Sequence, residues 1–203
     1  MPTRPRAYFP VGLTGPRLRC GCAPVVHRLS RGPSRTRPGE DVDDHAKALY
    51  RHALGAFPTG VAVITVDDRA GGAAALTINS FSSISLEPPL VAWSLGAASD
   101  RGVWFREAER FAVNILGADD AGLAADHARR GNYRLEPERT APGDPPSVAG
   151  ALSRLYCRVV QTIPLGDHLL FVGEVTSFDA REGDSLTYYR GRYGRAASPE
   201  NAR

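Results

Sequence analysis

The stretch TINSFSSISLEPPLV, which begins at Thr77, restricts the fold of this chain more than any other segment. Five hydroxyl side chains and the amide of Asn79 fall within its first nine residues, interspersed with apolar residues. A partly apolar run bounded by turn signals is typical of a β-strand. Proline lacks the amide N–H and holds its predecessor extended, so Glu87-Pro88-Pro89 cannot continue a ladder. We therefore predict one strand that ends at Leu86 and a second that begins at Leu90, with hydrogen-bonding side chains along the first.

The length and the charge distribution bound the class of protein. With 203 residues, of which 42% are hydrophobic, the chain suits one well-buried domain. It contains no run of 18 apolar residues, so no transmembrane helix is expected. Residues 1–39 hold eight arginines and no acidic residue, and the other 164 residues carry 17 basic and 22 acidic groups. An acidic body argues against a nucleic-acid-binding domain.

The first 44 residues differ in composition from the rest. They are rich in arginine and proline and lack a sustained period, so we predict a disordered extension over 1–44. A targeting segment and a start codon placed too far upstream are alternative readings of the same composition. The folded domain is predicted over 45–195, with a short tail over 196–203.

The periodicity along the domain predicts a mostly antiparallel β-barrel with few helices. Helices are predicted at residues 43–57, 99–109 and 119–130, the second capped by Ser99 or Asp100. Strands are predicted at residues 61–66, 73–86, 90–95, 111–116, 153–163, 168–178 and 186–189. In this scheme 61–66 and 73–86 form a hairpin, 90–95 continues the meander, 153–163 is an edge or half-buried strand, and 186–189 is the last strand. His45, His52 and His127 are predicted on exposed helix surfaces.

Several common functional motifs are absent from the sequence. It has neither the glycine fingerprint of a Rossmann site nor a P-loop, and no nucleophile elbow. Three cysteines, Cys20, Cys22 and Cys157, are too few for a disulfide framework and suit a reducing compartment, so a cytoplasmic location is expected. No second cysteine pair or histidine cluster accompanies Cys20 and Cys22, so no metal site is expected.

Five blocks in order resemble the flavin reductase family. They are TGVAVIT from Thr59, TINSFSSISLEPPLV from Thr77, FAVNIL from Phe111, GDHLLFVGEV from Gly166 and YYRGRYG from Tyr188. The resemblance implies an FMN-binding split β-barrel, antiparallel and Greek-key-like, with a few short flanking helices. It also implies an NAD(P)H-dependent reductase of FMN or FAD, homodimeric, that supplies reduced flavin to a partner monooxygenase.

The resemblance also implies a set of ligand-binding positions. The flavin ring would contact Thr77, Asn79 and Ser80, while Ser94, Leu95, Gly96, Ser99, Asp100 and Arg101 would hold its ribityl and phosphate. The dinucleotide, NADH or NADPH, would contact His168, Tyr189, Arg190 and Tyr193, with His168 positioning the nicotinamide. No side chain is expected to act as acid or base, because the cofactor carries the hydride chemistry.

Other readings of the same residues remain open. The hydroxyl-rich strand is also typical of an exposed strand followed by an ordinary helix cap. The Tyr-Arg-Gly segment near the C-terminus would suit single-stranded nucleic acid on a basic body. Ala75 stands where the family commonly has glycine, so the fit to the flavin ring could differ there. A flavin-binding carrier or sensor without reductase activity is the alternative function.

Overall fold

The computed structural model describes residues 44–198. The predictions of a disordered extension and of the end of the tail fall on 1–43 and 199–203, outside the described residues. The helices are α1 (Asp44–Leu54), α2 (Gly102–Phe105) and α3 (Ala121–Ala128), with 3-10 turns at Ala118–Asp120 and Pro137–Arg139. Residues from Leu49 onward form one compact unit, and the sheets lie within it. No helix among the described residues is long and apolar enough to cross a membrane.

Twelve strands make up the described sheets. They are β1 (Thr59–Gly60), β2 (Ala62–Asp67), β3 (Ala73–Ile78), β4 (Ser82–Leu86), β5 (Pro89–Gly96), β6 (Arg110–Ile115), β7 (Thr140–Ala141), β8 (Ser147–Val148), β9 (Ser153–Leu165), β10 (His168–Ala180), β11 (Ser185–Tyr189) and β12 (Arg192–Ala196). A seven-stranded sheet runs in the order β3-β2-β6-β9-β10-β5-β4, and β1, β11 and β12 form a three-stranded sheet. Every pairing is antiparallel, so the mostly β, antiparallel prediction is confirmed.

Strand β2 shows why the sheet is covered on both faces. Its β-branched residues alternate, so that Ile64 and Val66 enter one apolar cluster while Val63 enters the other. The first cluster is centred on Trp93, which stacks on Phe171 with ring centroids 4.5 Å apart and planes 7° apart. Burying both faces makes β2 a central strand rather than an exposed ribbon.

The predicted strand 73–86 is two strands. Strand β3 ends at Ile78 and β4 begins at Ser82, and the two lie at opposite edges of the seven-stranded sheet. Strand β3 pairs with β2 across the Asp67 turn, whereas β4 folds back on β5 through Glu87 and Pro88. One continuous strand cannot reach both partners, so the strand is interrupted at residues 79–81, which begin with the polar Asn79 and Ser80. The predicted end at Leu86 is confirmed, and β5 begins one residue earlier than predicted, at Pro89.

Three further element predictions are wrong in part. Helix α2 has only four residues and begins after Arg101, which makes no side-chain cap. Strand β9 is paired with both β6 and β10, so the edge alternative is wrong, whereas its first four residues are half-buried, as the other alternative predicted. Strand β11 is followed by β12, which pairs with it in register from Ser185 to Tyr189.

The prediction of His127 as an exposed helix residue is also wrong. Its side chain, on α3, is fully buried. His52 is exposed, as predicted. The loop after α3 folds back over the sheet edge, where Ala75 N–H donates to the carbonyl of Tyr133 at 2.8 Å. This loop covers the side of α3 that carries His127.

Candidate active site

A cleft opens between the end of β3 and the β11–β12 hairpin. It has a volume of about 180 Å³ and is lined by Val61, Thr77, Ile78, Asn79, Ala128, Tyr188 and Tyr193. The break in the chain after Ile78 places the first polar residues of the hydroxyl-rich stretch at this cleft. Pockets that enclose a small-molecule ligand have volumes of roughly 300–1,000 Å³. The cleft therefore holds only part of such a ligand.

Thr77 and Asn79 present hydrogen-bonding groups that the protein itself leaves unused. The hydroxyl Oγ1 of Thr77 is buried and has no hydrogen-bond partner among the described residues. Burying a hydroxyl without a hydrogen bond costs about 1–3 kcal/mol, so an unpartnered hydroxyl in the lining of a cleft is a candidate contact for a ligand. Asn79, the first residue after β3, is exposed and also lines the cleft. These donors suit the polar edge of an oxidised flavin ring.

The opposite wall of the cleft is aromatic. Tyr188 and Tyr193 are paired across the hairpin, with ring centroids 5.5 Å apart and planes inclined by 58°. Burial, together with the neighbouring Tyr188, raises the pKa of Tyr193, so its hydroxyl stays protonated at neutral pH. A neutral aromatic wall facing hydroxyl and amide groups fits a flat, conjugated ligand that is polar at one edge.

Ser80, which lies between β3 and β4, is next to Ser94 of β5, the strand that also carries Gly96. The N–H of Ser94 donates to Ser80 Oγ at 3.0 Å, so the Ser80 hydroxyl is occupied in fixing the break after β3 to β5. Leu95 points into the core and is 2% exposed, which leaves only its backbone for a ligand. Gly96 is paired with His168 in the sheet register.

His168 begins β10 immediately after a tight turn. Its Nδ1 lies 2.7 Å from Asp167 Oδ1, and this contact lowers the pKa of Asp167. The imidazole is half-exposed, with 49% of its side-chain surface accessible. The carboxylate of Asp167 orients the ring and leaves Nε2 free to meet a ligand.

Tyr189 and Arg190 occupy the tip of the β11–β12 hairpin. Arg190 adopts a left-handed conformation with φ 46°, and its N–H donates to the carbonyl of Gly55 at 3.1 Å. Its guanidinium lies 5.5 Å above the Tyr189 ring, and Nε donates to the Tyr189 hydroxyl at 2.9 Å. The structure thus places Tyr189 and Arg190 at the end of the hairpin whose inner side carries Tyr188.

Ser99, Asp100 and Arg101 precede α2 and are separate from the residues that line the cleft. The Arg101 guanidinium is 5% exposed and points inward, where it donates to the carbonyls of Arg129 and Asn132. Tyr133 donates to the Asp100 carboxylate, and this hydrogen bond lowers the pKa of Asp100. These contacts fasten the segment before α2 to the loop after α3. Ala128, the last residue of α3, lines the cleft.

The sequence reasoning missed two features of this region. Tyr188 lines the cleft, although only the later residues of YYRGRYG were assigned a role; its pairing with Tyr193 across a hairpin was the available signal. His127 sits behind the cleft wall with both ring nitrogens lacking a hydrogen-bond partner among the described residues. Burial lowers the pKa of His127 despite Glu136, whose carboxylate oxygen lies 3.8 Å from Nε2. No sequence signal identified it.

Ala75 is not exposed at the cleft. It is completely buried in β3, and its N–H is occupied by the Tyr133 carbonyl. Ala75 is not among the residues that line the cleft, although it precedes Thr77 by two positions and so lies on the same face of β3.

Comparison with known proteins finds a matching family model and relatives whose names agree with it. The model of the flavin reductase like domain matches residues 54–197. The FMN reductase (NADH) SmoA of Agrobacterium fabrum is 42% identical over 148 residues, covering 72% of this chain and 84% of the relative. The reductase component of a 4-nitrophenol monooxygenase from Rhodococcus opacus is 36% identical, covering 77% and 84%.

A solved structure carries both kinds of ligand that the resemblance implied. The NADH:FAD oxidoreductase SgcE6 of Streptomyces globisporus, in complex with NAD and FAD fragments, is 30% identical with a TM-score of 0.71. The match covers 79% of this chain and 99% of that one. With a family model spanning most of the folded residues and these relatives, the chain belongs to the flavin reductase family.

Proposed function

We propose that this protein is an NAD(P)H:flavin oxidoreductase whose site is the cleft between β3 and the β11–β12 hairpin. The observation that carries the proposal is the buried, unpartnered Thr77 hydroxyl facing an aromatic wall. The names of the relatives support reduced nicotinamide and flavin as the substrate pair. The candidate flavins are FMN and FAD, and the candidate nicotinamide dinucleotides are NADH and NADPH.

The chain's own residues bind and orient the two rings. When both are bound, nicotinamide supplies a hydride from C4 and flavin accepts it at N5. Thr77 and Asn79 contact the polar edge of the flavin, and Tyr188 and Tyr193 exclude water from its face. Ser80 holds the turn after β3 to β5 through its hydrogen bond with Ser94. His168, held by Asp167, positions the nicotinamide. Holding both rings in one geometry is the main catalytic contribution, because no proton transfer is needed.

The ribityl and phosphate of the flavin extend toward the end of β5. Ser94, the Leu95 backbone, Gly96, Ser99 and Asp100 line this direction. Arg101 acts as a positioning residue, because its guanidinium is already engaged by the carbonyls of Arg129 and Asn132.

The reduced flavin leaves for a monooxygenase. The Rhodococcus opacus relative is a reductase component by name, which supports a separate oxygenase as the partner. A cleft too small to enclose its ligand permits release of the product into solution. Because reduced nicotinamide and reduced flavin are both consumed inside cells, the cytoplasm is the proposed location.

A second copy of the chain completes the assembly. An exposed groove of about 560 Å³ is lined by Ser83, Ser85, Leu86, Pro89, Leu90, Val91, Leu155, Val175, Thr176, Ser177 and Phe178. Leu86 and Phe178 are 90% and 73% exposed. A two-fold interface sets equivalent residues against each other near its axis, so a groove without charged side chains suits a second copy better than a charged partner. A homodimer through this groove is the proposed state.

Steady-state oxidation of NADH and of NADPH tests the proposed function. The purified protein is assayed with FMN, with FAD and without flavin. We expect nucleotide oxidation only when flavin is present, and a loss of turnover in His168→Ala that His168→Gln partly restores. Flavin binding without oxidation of either nucleotide would contradict the reductase and leave a flavin carrier or sensor.

A further inference from the structure

An exposed cluster of Arg51, His52 and Arg190 lies where the end of α1 meets the hairpin tip. Nη1 of Arg190 is 3.3 Å from Nε2 of His52. Arg51 and His52 form the last turn of α1, and the Arg190 backbone is fastened to this end of the helix through Gly55. The backbone contact fixes the hairpin tip beside the end of α1, where the side chains of His52 and Arg190 meet and Arg51 precedes His52 on the helix.

Among the described residues, no close ion pair compensates the positive charge of this cluster. Within residues 44–198, Arg51 and Arg190 form no ion pair with a carboxylate. By contrast, Arg195 on the same hairpin is paired with both Asp119 and Asp184. The planar guanidinium of Arg190 is instead stacked on Tyr189, which leaves its Nη groups directed at solvent and His52.

The cluster borders the turn that carries His168. The pKa of Asp167 is lowered first by its hydrogen bond to His168 and also by the charge of Arg51, so Arg51 lies close to this turn. On the other side, Tyr189 directly follows Tyr188, which lines the cleft. A ligand that extends from the cleft past the hairpin tip therefore reaches the cluster.

We propose that Arg51, His52 and Arg190 bind a phosphate group of the nicotinamide dinucleotide, and we call them the phosphate patch. Guanidinium groups match phosphate oxygens in a bidentate geometry, and an uncompensated pair beside the nicotinamide-positioning histidine suits a phosphate. The proposal deepens the proposed function and rests on it. The phosphate is either the pyrophosphate common to both dinucleotides or the 2′-phosphate of NADPH.

A helix-capping role is the competing explanation. Cations in the last turn of a helix stabilise it through the helix dipole, and Arg51 and His52 are placed for that effect. Such a role would alter the melting temperature and leave ligand affinity unchanged. The two roles are therefore separated by binding measurements.

Calorimetric titration with ADP-ribose and with its 2′-phosphorylated form tests the proposal without any turnover. The variants are Arg51→Ala, Arg51→Lys and Arg190→Asn; asparagine is chosen because it tolerates the left-handed backbone. We expect the double variant Arg51→Ala/Arg190→Asn to bind at least about tenfold more weakly, with Arg51→Lys retaining part of the affinity. Weaker binding of both ligands would show that the patch binds the pyrophosphate. Weaker binding of the 2′-phosphorylated ligand alone would show that it binds the 2′-phosphate.

Controls separate this result from folding and from the proposed function. Arg158→Ala removes an exposed arginine that is paired with Glu174 and should leave both affinities unchanged. The FMN dissociation constant of each variant should also match that of the wild type. Affinities within twofold of wild type in the double variant, or no binding to the wild type, would overturn the patch. Patch-dependent binding without nucleotide oxidation would instead reject the reductase and keep the patch.

Discussion

At the residue scale, Thr77 carries the most specific information about the ligand. Its hydroxyl is buried and unpartnered within the described chain, while the Ser80 hydroxyl is already used by Ser94. The hydroxyls of one stretch thus divide between holding the fold and meeting a ligand. Sequence alone could not make this division, because it depends on which neighbour each hydroxyl reaches.

Thr77→Val should weaken flavin binding. Valine keeps the shape of threonine and removes the hydroxyl, so one hydrogen bond worth about 1 kcal/mol is lost and the FMN dissociation constant rises about fivefold. Quenching of flavin fluorescence on binding measures this constant. Thr77→Ser keeps a hydroxyl and serves as the control. Equal affinities in valine and serine variants would remove Thr77 from the site.

His127 should make stability depend on pH. Burial lowers its pKa in the folded protein, and Glu136 only partly offsets this effect. Below the ordinary histidine pKa of about 6.5 the unfolded chain takes up a proton that the folded chain resists. The free energy of unfolding therefore falls with decreasing pH, by at most about 1.4 kcal/mol per pH unit from this group.

Denaturant unfolding of wild type and His127→Phe between about pH 7.5 and 5.5 checks this expectation. The variant should lose the part of the slope due to His127, while groups such as Asp68 contribute equally to both proteins. Parallel pH dependences in the two proteins would contradict a buried, neutral His127.

At the element scale, the tight approach of β10 to its neighbours depends on Gly173. A Cβ built there would lie 2.7 Å from Phe111 Cε1 and 3.1 Å from Cys157 Cβ, and Phe111 is only 1% exposed. Gly173→Ala should therefore destabilise the protein by about 1–3 kcal/mol through overpacking. The matched control is Gly122→Ala in α3, where a Cβ meets nothing within 4 Å and helix propensity predicts a small gain in stability. Chemical denaturation measures both, and a neutral Gly173→Ala would contradict the packing.

Local sequence patterns predicted where the strands lie better than they predicted which strands pair with each other. The β-branched run of β2, the Asp67 turn and the stop at Leu86 follow from residue preferences over a few positions. The placement of β3 and β4 at opposite edges of the sheet does not follow from these preferences. The alternation of residue types along a strand specifies which face of the sheet a side chain is on, and not which strand is the neighbour. His127 failed for a related reason: a helical pattern does not show that a later loop will cover one side of the helix.

The candidate site was predictable to a similar extent. The family resemblance indicated Thr77, Asn79 and Tyr193, which the fold brings to one cleft. It did not indicate that Arg101 would turn inward, since that orientation depends on carbonyls some 28 to 31 residues further along the chain. Contacts between distant segments were the part that sequence alone left open.

At the scale of the whole molecule, the exposed groove beside β4 should be covered by a second copy. Leu86→Glu places a charge near the proposed two-fold axis, where each carboxylate would face its equivalent. Sedimentation equilibrium should show a dimer for the wild type and a monomer for this variant. Val160→Glu, at a half-exposed position outside the groove, should remain dimeric. A monomeric wild type, or a dimeric Leu86→Glu, would reject the interface.

The cleft between β3 and the β11–β12 hairpin is the proposed place where reduced nicotinamide and flavin meet. Anaerobic rapid mixing of the protein, NADH and FMN, followed by the loss of flavin absorbance, tests it most directly because no oxygen or partner enzyme contributes. We expect the wild type to reduce FMN far faster than the reaction without protein. Thr77→Val/Asn79→Ala should slow this reduction at subsaturating FMN while its fold and its affinity for ADP-ribose are preserved. Rates in the double variant that equal those of the wild type would place the reaction elsewhere on the protein.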